Sequence, residues 1–290
     1  MTPKQFANAA VTATPKRFAM FERLYESWAT PQQFHAAAGA LSALGRPDLA
    51  ELLSRSKTWS YLDRAGALPR FTREDLSEDV TFYRQDLQQI DADQRSLLIG
   101  VTARGGRLTL PVSAFLQALP KNAWDVLILR DRWRVHYRQG CSGFAHDFQE
   151  LARKVSALAR SYNYTITLGT SMGGLPAIRL ALMANLGRAI SIGGRQWDDV
   201  ARIGEPGRHL PAYDPLCACR SLDQSEHWFV SAAGHSTDLK AAEQYAALWG
   251  GRAIALPDLH SHHVLGEAWL TGQLPQVLQF LLDEPAAPNN

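Results

Sequence analysis

The residues in this 290-residue sequence that offer the most chemistry are Gly169, Ser171 and Gly173, spaced as G-x-S-x-G. They lie in Y-T-I-T-L-G-T-S-M-G-G-L-P-A-I-R-L-A-L-M, an apolar run of strand character followed by a helix that stops near Gly187. Glycines on both sides leave room for a chain that turns sharply from strand to helix, and Gly174 adds more. A serine hydroxyl is a weak nucleophile near neutral pH, so it needs a base held by a carboxylate. Histidines gather downstream in R-A-I-A-L-P-D-L-H-S-H-H, at His260, His262 and His263. Their H-x-H spacing is also one that binds a metal, if further ligands such as Asp258 join them.

The strand, the G-x-S-x-G turn and the helix together resemble the nucleophile turn of the α/β-hydrolase superfamily, and the likeness extends over about residues 79–283. The resemblance implies a strained turn at Ser171 that leaves its hydroxyl clear at the end of the sheet, above a helix N-terminus whose dipole favours developing negative charge, and a triad in the chain order serine, acid, histidine. H-W-F-V-S-A-A-G-H-S-T-D resembles the penultimate strand with its acid-bearing loop and points to Asp238. Family members often place the acid nearer the glycine than Asp238 lies from Gly234, so Asp198 and Asp199 stand as alternatives. The histidine-rich stretch resembles the last strand and its loop, which favours His262 as base, followed by a helix from Val264, with His263 as the neighbouring alternative. His235 reads as a solvated loop residue. The implied oxyanion hole combines the backbone N–H of Met172 with that of Ala103 or Arg104, in a T-A-R-G-G loop where the family commonly has His-Gly. Arg104 and Arg107 read as side chains of a solvated loop.

The implied activity is that of a serine hydrolase cleaving an ester, thioester or related acyl bond of a small-molecule acyl substrate through a covalent acyl-enzyme, with no cofactor and no metal. A hydroxyl or thiol acceptor in place of water would make the same triad an acyltransferase. A scaffold that had lost its chemistry would be a binding protein.

These residues need a sheet to hold them. Short apolar runs fall at Val80–Tyr83, Leu97–Thr102, Val126–Leu129, Thr165–Leu168, Ala189–Ile192, Trp228–Ser231 and Ala253–Leu256. Between them run helical patterns: Val112, Phe115, Leu116 and Leu119; Phe148, Leu151, Val155 and Leu158, opened by Asp147 and Glu150; Leu239, Ala242, Ala246 and Trp249; and a closing helix through Val277 and Leu281. Strands alternating with helices predict an α/β class fold, a mostly parallel central sheet with helices on both faces, over residues 79–290. Residues 1–78 read as an N-terminal helical module: Phe18, Phe21, Tyr25 and Trp28 recur at helical spacing, and Thr30-Pro31 is a cap followed by a first-turn proline. Its apolar faces suit packing on the main domain or a protein partner. Arg195–Glu226, rich in Gly and Pro, has no strong period and suits a lid or a surface excursion.

Hydrophobic residues make up 46% and charged residues 20% of the chain, the balance of a packed globular protein. Thirty basic against 28 acidic side chains leave a net charge of +2, too little to draw the protein onto nucleic acid. No apolar run approaches a membrane span, and the N-terminus lacks the apolar core of a signal peptide. The three cysteines, Cys141, Cys217 and Cys219, suit a reducing compartment, so the expected location is cytoplasmic.

Overall fold

The computed structural model describes residues 1–87, 90, 94–120, 124–194 and 226–283. Asp198, Asp199, Cys217, Cys219 and all but the last residue of the proposed lid lie outside them. Eight strands form one sheet: β1 Phe71–Asp75, β2 Val80–Gln85, β3 Ser96–Val101, β4 Trp124–Leu129, β5 Tyr164–Thr170, β6 Arg188–Ile192, β7 Glu226–Ala232 and β8 Arg252–Leu256. Their order is β1-β2-β4-β3-β5-β6-β7-β8. β1 and β2 form an antiparallel pair and β2 runs antiparallel to β4; every other neighbouring pair is parallel. The expected mostly parallel sheet is therefore present, with one strand more than its apolar runs announced. β1 falls inside the stretch assigned to the helical module, so the sheet begins at Phe71.

Strand residues alternate between two cores, as the two-residue period of a pleated strand requires. Leu97, Ile99, Val101, Leu127 and Leu129 pack on one face with helices α7 (Phe148–Ala159), α8 (Gly174–Ala184) and α9 (Ser236–Trp249). Leu98, Val126, Ile128, Ile166, Leu168 and Ile190 pack on the other with α6 (Val112–Ala118), α10 (Val264–Thr271) and α11 (Leu274–Leu282). Parallel strands buried on both faces read as unbroken apolar runs, which is why β3 and β4 are buried at every position.

The first five helices, α1 Pro3–Ala10, α2 Pro15–Glu26, α3 Pro31–Ala43, α4 Pro47–Ser54 and α5 Lys57–Ala65, enclose a third core around Phe6, Phe18, Tyr25, Phe34, Leu41 and Leu53. Thr2-Pro3, Thr14-Pro15 and Thr30-Pro31 start the first three alike: the threonine hydroxyl accepts a backbone N–H of the first turn, and proline takes a position whose N–H would be unpaired anyway. The module docks on the sheet through polar bonds around Trp28. The Tyr83 hydroxyl donates to the Trp28 carbonyl at 2.8 Å, and buried Arg130 donates to Ser27 O at 3.1 Å while its guanidinium lies 4.1 Å from the Trp28 ring centroid. Among the described residues no helix is long and apolar enough to cross a membrane.

Candidate active site

Strand β5 ends in Thr170, and the chain then enters a single 3-10 turn, Ser171–Gly173, before α8. Ser171 takes φ 50°, a left-handed conformation that costs a side-chain-bearing residue about 1–2 kcal/mol. The neighbouring glycines explain how the strain is accommodated. A Cβ on Gly169 would collide with the carbonyl oxygen of Gly173, and one on Gly173 with the carbonyl oxygens of Val101 and Thr102 at the end of β3. The turn is thus wedged against the next strand, and only hydrogen side chains fit at those two positions.

Two loops at the same end of the sheet complete the cluster. After β7 the chain turns at Gly234 and starts α9, which places Asp238 in the first helical turn. After β8 the loop runs through buried Leu259, whose carbonyl accepts the Gly234 N–H at 2.9 Å, and reaches His262 just before α10. His262 Nδ1 lies 2.7 Å from Asp238 Oδ2, and His262 Nε2 lies 2.8 Å from Ser171 Oγ. A ring nitrogen at that distance from a carboxylate carries the proton, so Nε2 presents its lone pair to the serine hydroxyl. Ser171 and the Asp238 side chain are each 9% exposed, while the His262 side chain is 28% exposed. The nucleophile candidate is sheltered and its imidazole neighbour is reachable from solvent. Gly193, at the end of β6 with φ 55°, backs the pair: a Cβ there would sit 3.2 Å from Asp238 Oδ2 and 3.4 Å from His262 Nδ1.

A parallel-stranded sheet with a serine on a strained strand-to-helix turn at its carboxyl end narrows the fold, and comparison with solved structures settles it. A fluorophosphonate-binding serine hydrolase of Staphylococcus aureus, FphF, superposes with a TM-score of 0.50 at 9% identity, over 74% of this chain and 99% of that one. The chain has the α/β-hydrolase fold. A 2,6-dihydroxy-pseudo-oxynicotine hydrolase gives a TM-score of 0.48 at 15% identity over 95% of this chain and 91% of the other. A Pyrobaculum calidifontis esterase gives 0.48 at 12% identity over 77% and 87%. No family model matches the sequence, and no curated protein does.

The loop after β3 begins where a Cβ on Gly173 of the serine turn would strike the Val101 and Thr102 carbonyl oxygens, and Ala103 and Arg104 stand differently in it. The Ala103 N–H donates to Arg107 O at 2.8 Å, closing a tight loop in which Gly106 N–H also bonds Ala103 O at 2.9 Å. Ala103 is therefore committed elsewhere and is not an open donor. Thr102 N–H is engaged too, with Leu129 O at 3.1 Å and the Tyr137 hydroxyl at 2.9 Å. Arg104 follows at the exposed tip of the turn, where a backbone N–H has no partner within the turn itself. Met172, buried at 5%, sits in the first turn after Ser171, where helical N–H groups lack intrahelical acceptors. Arg107 is not a solvated loop side chain: its guanidinium lies 3.7 Å from Glu26 and donates to Arg23 O, tying this loop to α2.

Several residues near the site carry no motif. Tyr137 is fully buried, and its hydroxyl bridges the ends of β3 and β4 by accepting from Thr102 N and donating to Leu129 O at 2.8 Å. His235, expected in solvent, caps α9: its Nδ1 accepts the Asp238 N–H at 3.3 Å and lies 3.2 Å from Asp238 Oδ2. The Asn/Asp/Ser/Thr signals of helix caps do not include histidine, so sequence offered no cue. His260 lies against Gly234, and His263 is exposed at the N-cap of α10. Among the described residues no group of three or more His, Cys, Asp or Glu is arranged to hold a metal ion.

Proposed function

We propose that the protein is a serine hydrolase that cleaves an ester, thioester or related acyl bond of a small molecule. The observation that carries this reading is the hydrogen-bonded chain from Ser171 Oγ through the His262 ring to Asp238, at 2.8 and 2.7 Å. Ser171 Oγ attacks the acyl carbon while His262 Nε2 takes its proton, and the Asp238 carboxylate stabilises the imidazolium that forms. Charge on the former carbonyl oxygen is met by the Met172 N–H, with the Arg104 N–H as the second donor. Collapse breaks the bond to the alcohol or thiol, which leaves with the proton from His262 Nε2 and yields the acyl-enzyme. Water, deprotonated by the same nitrogen, repeats the sequence and releases the acid.

A fluorophosphonate probe tests the reading, since its phosphorus accepts the same attack and the fluoride leaves. Wild-type protein is expected to label at Ser171 and to hydrolyse p-nitrophenyl esters, whereas Ser171→Ala should do neither and keep its melting temperature to within a few degrees. Ester turnover by Ser171→Ala at the wild-type rate would remove the assignment.

A further inference from the structure

The loop that carries His262 is tied to the turn after β7 at Leu259, yet the imidazole three residues on must satisfy two partners at once. A residue of the next helix holds the stretch between. Glu267 Oε2 accepts the backbone N–H of His260 at 2.8 Å and that of Ser261 at 2.7 Å. The Glu267 main-chain N–H, in turn, donates to His263 O at 2.8 Å. One residue thus grips the chain on both sides of His262, and Ser261 Oγ completes the turn by accepting the His263 N–H at 3.0 Å. A carboxylate near a helix N-terminus is stabilising by itself. What that cannot account for is the aim of the side chain: both bonds go to N–H groups that precede the helix, and both end on one oxygen. Charge-assisted bonds of this kind are among the stronger ones a loop can have.

We propose that Glu267 is the positioning residue of the base, fixing the backbone of His260 and Ser261 so that the His262 ring stands between Asp238 and Ser171. The role rests on the serine-hydrolase reading above. Both N–H groups meet a single oxygen, so the role asks first for an acceptor at that point, with the carboxylate charge strengthening bonds whose placement the oxygen sets.

Three variants separate these properties. Glu267→Gln keeps an acceptor oxygen at the same reach without charge. Glu267→Asp keeps the charge but withdraws the oxygen by one methylene, and Glu267→Ala removes both. With p-nitrophenyl ester turnover normalised to the fraction of sites titrated by fluorophosphonate, Gln should stay within about threefold of wild type. Asp and Ala should lose about 10–100-fold in kcat, the scale of an ångström-sized misplacement, with KM little changed. A role confined to fold stability would lower the melting temperature and leave kcat and KM per titrated site where they were. Wild-type kcat in Glu267→Ala overturns the proposal, as does rescue by Asp with failure of Gln, which would make charge the operative property. If the Ala variant does not fold, the order of Gln and Asp decides. A wild type that does not label while remaining folded removes the hydrolase reading, and this role with it.

Discussion

Imidazoles 262 and 263 are neighbours in the chain with their ring centroids 5.3 Å apart, but they meet different surroundings. Both nitrogens of His262 are engaged, whereas His263 is exposed and marks the N-cap of α10. The difference comes from the next two residues: Val264 and Leu265 are 1% and 0% exposed, and anchoring them in the core starts the helix and leaves residue 262 on the loop. His262→Ala should therefore lower kcat by about three orders of magnitude or more, the scale of losing a triad member. His263→Ala should change it by less than about tenfold, under 1.4 kcal/mol of barrier. The reverse ranking in steady-state rates would move the base by one residue. Val264 and Leu265 make this distinction legible in sequence, as apolar residues that open a helix. Ala103 was not legible in the same way, because whether its N–H is open depends on the loop closing onto Arg107. Nor was the aim of Glu267, which needs the helix and the preceding loop in place before its reach can be seen.

At the scale of elements, period and punctuation find most of the fold, and their failures have physical causes. β1 was missed because it is an edge strand with one buried residue, Phe71, and so lacks the alternation that marks a half-buried strand. α1 lies inside the stretch read as helical but shows no period of its own, because eight residues hold few apolar positions, although Thr2-Pro3 repeats the signal used at Thr30-Pro31. α2 carries a property that no period displays. Burial, and then the neighbouring Glu26 charge, push the Glu22 carboxyl up to about 7, against weaker opposing effects of Ser56 and Arg23. Burial also raises Glu26, in spite of the 2.5 Å bond from Thr58 Oγ1 and the nearby Arg107. A carboxyl raised in the folded state holds a proton that the unfolded chain has released. Its stabilising contribution is complete below the ordinary carboxylate range and is lost as pH rises through about 7. Glu22→Gln, which stays neutral, should melt increasingly above wild type as pH goes from 5 to 8. Thermal melts of both proteins across that range check this, and a constant difference would mean that Glu22 is solvated.

At the scale of the whole molecule the question is what the helical module does for the sheet. Ser171, Asp238 and His262 all stand on or between β5 and α10, and none of their hydrogen bonds runs to the first 66 residues. The module instead supports the other half of the sheet. Without it, Arg130, only 6% exposed, loses the Ser27 carbonyl and the Trp28 ring, and the Tyr83 hydroxyl loses the Trp28 carbonyl. Each orphaned buried polar group costs about 1–3 kcal/mol. For a domain of this size about 2–4 °C of melting temperature goes with each kcal/mol. The face of α6 that α3 and α5 cover would also open to water. Deleting residues 1–66 should therefore lower the melting temperature by at least about 4 °C and reduce solubility, while fluorophosphonate still labels Ser171 within about tenfold of the wild-type rate. The loop from Ala103 to Arg107 is the link by which the deletion can reach the chemistry, since Arg107 is anchored on Arg23 and Glu26 of α2. Loss of labelling in a truncated protein that remains folded would make the module part of the site, acting through that loop. An unchanged melting temperature would instead make it an independent appendage.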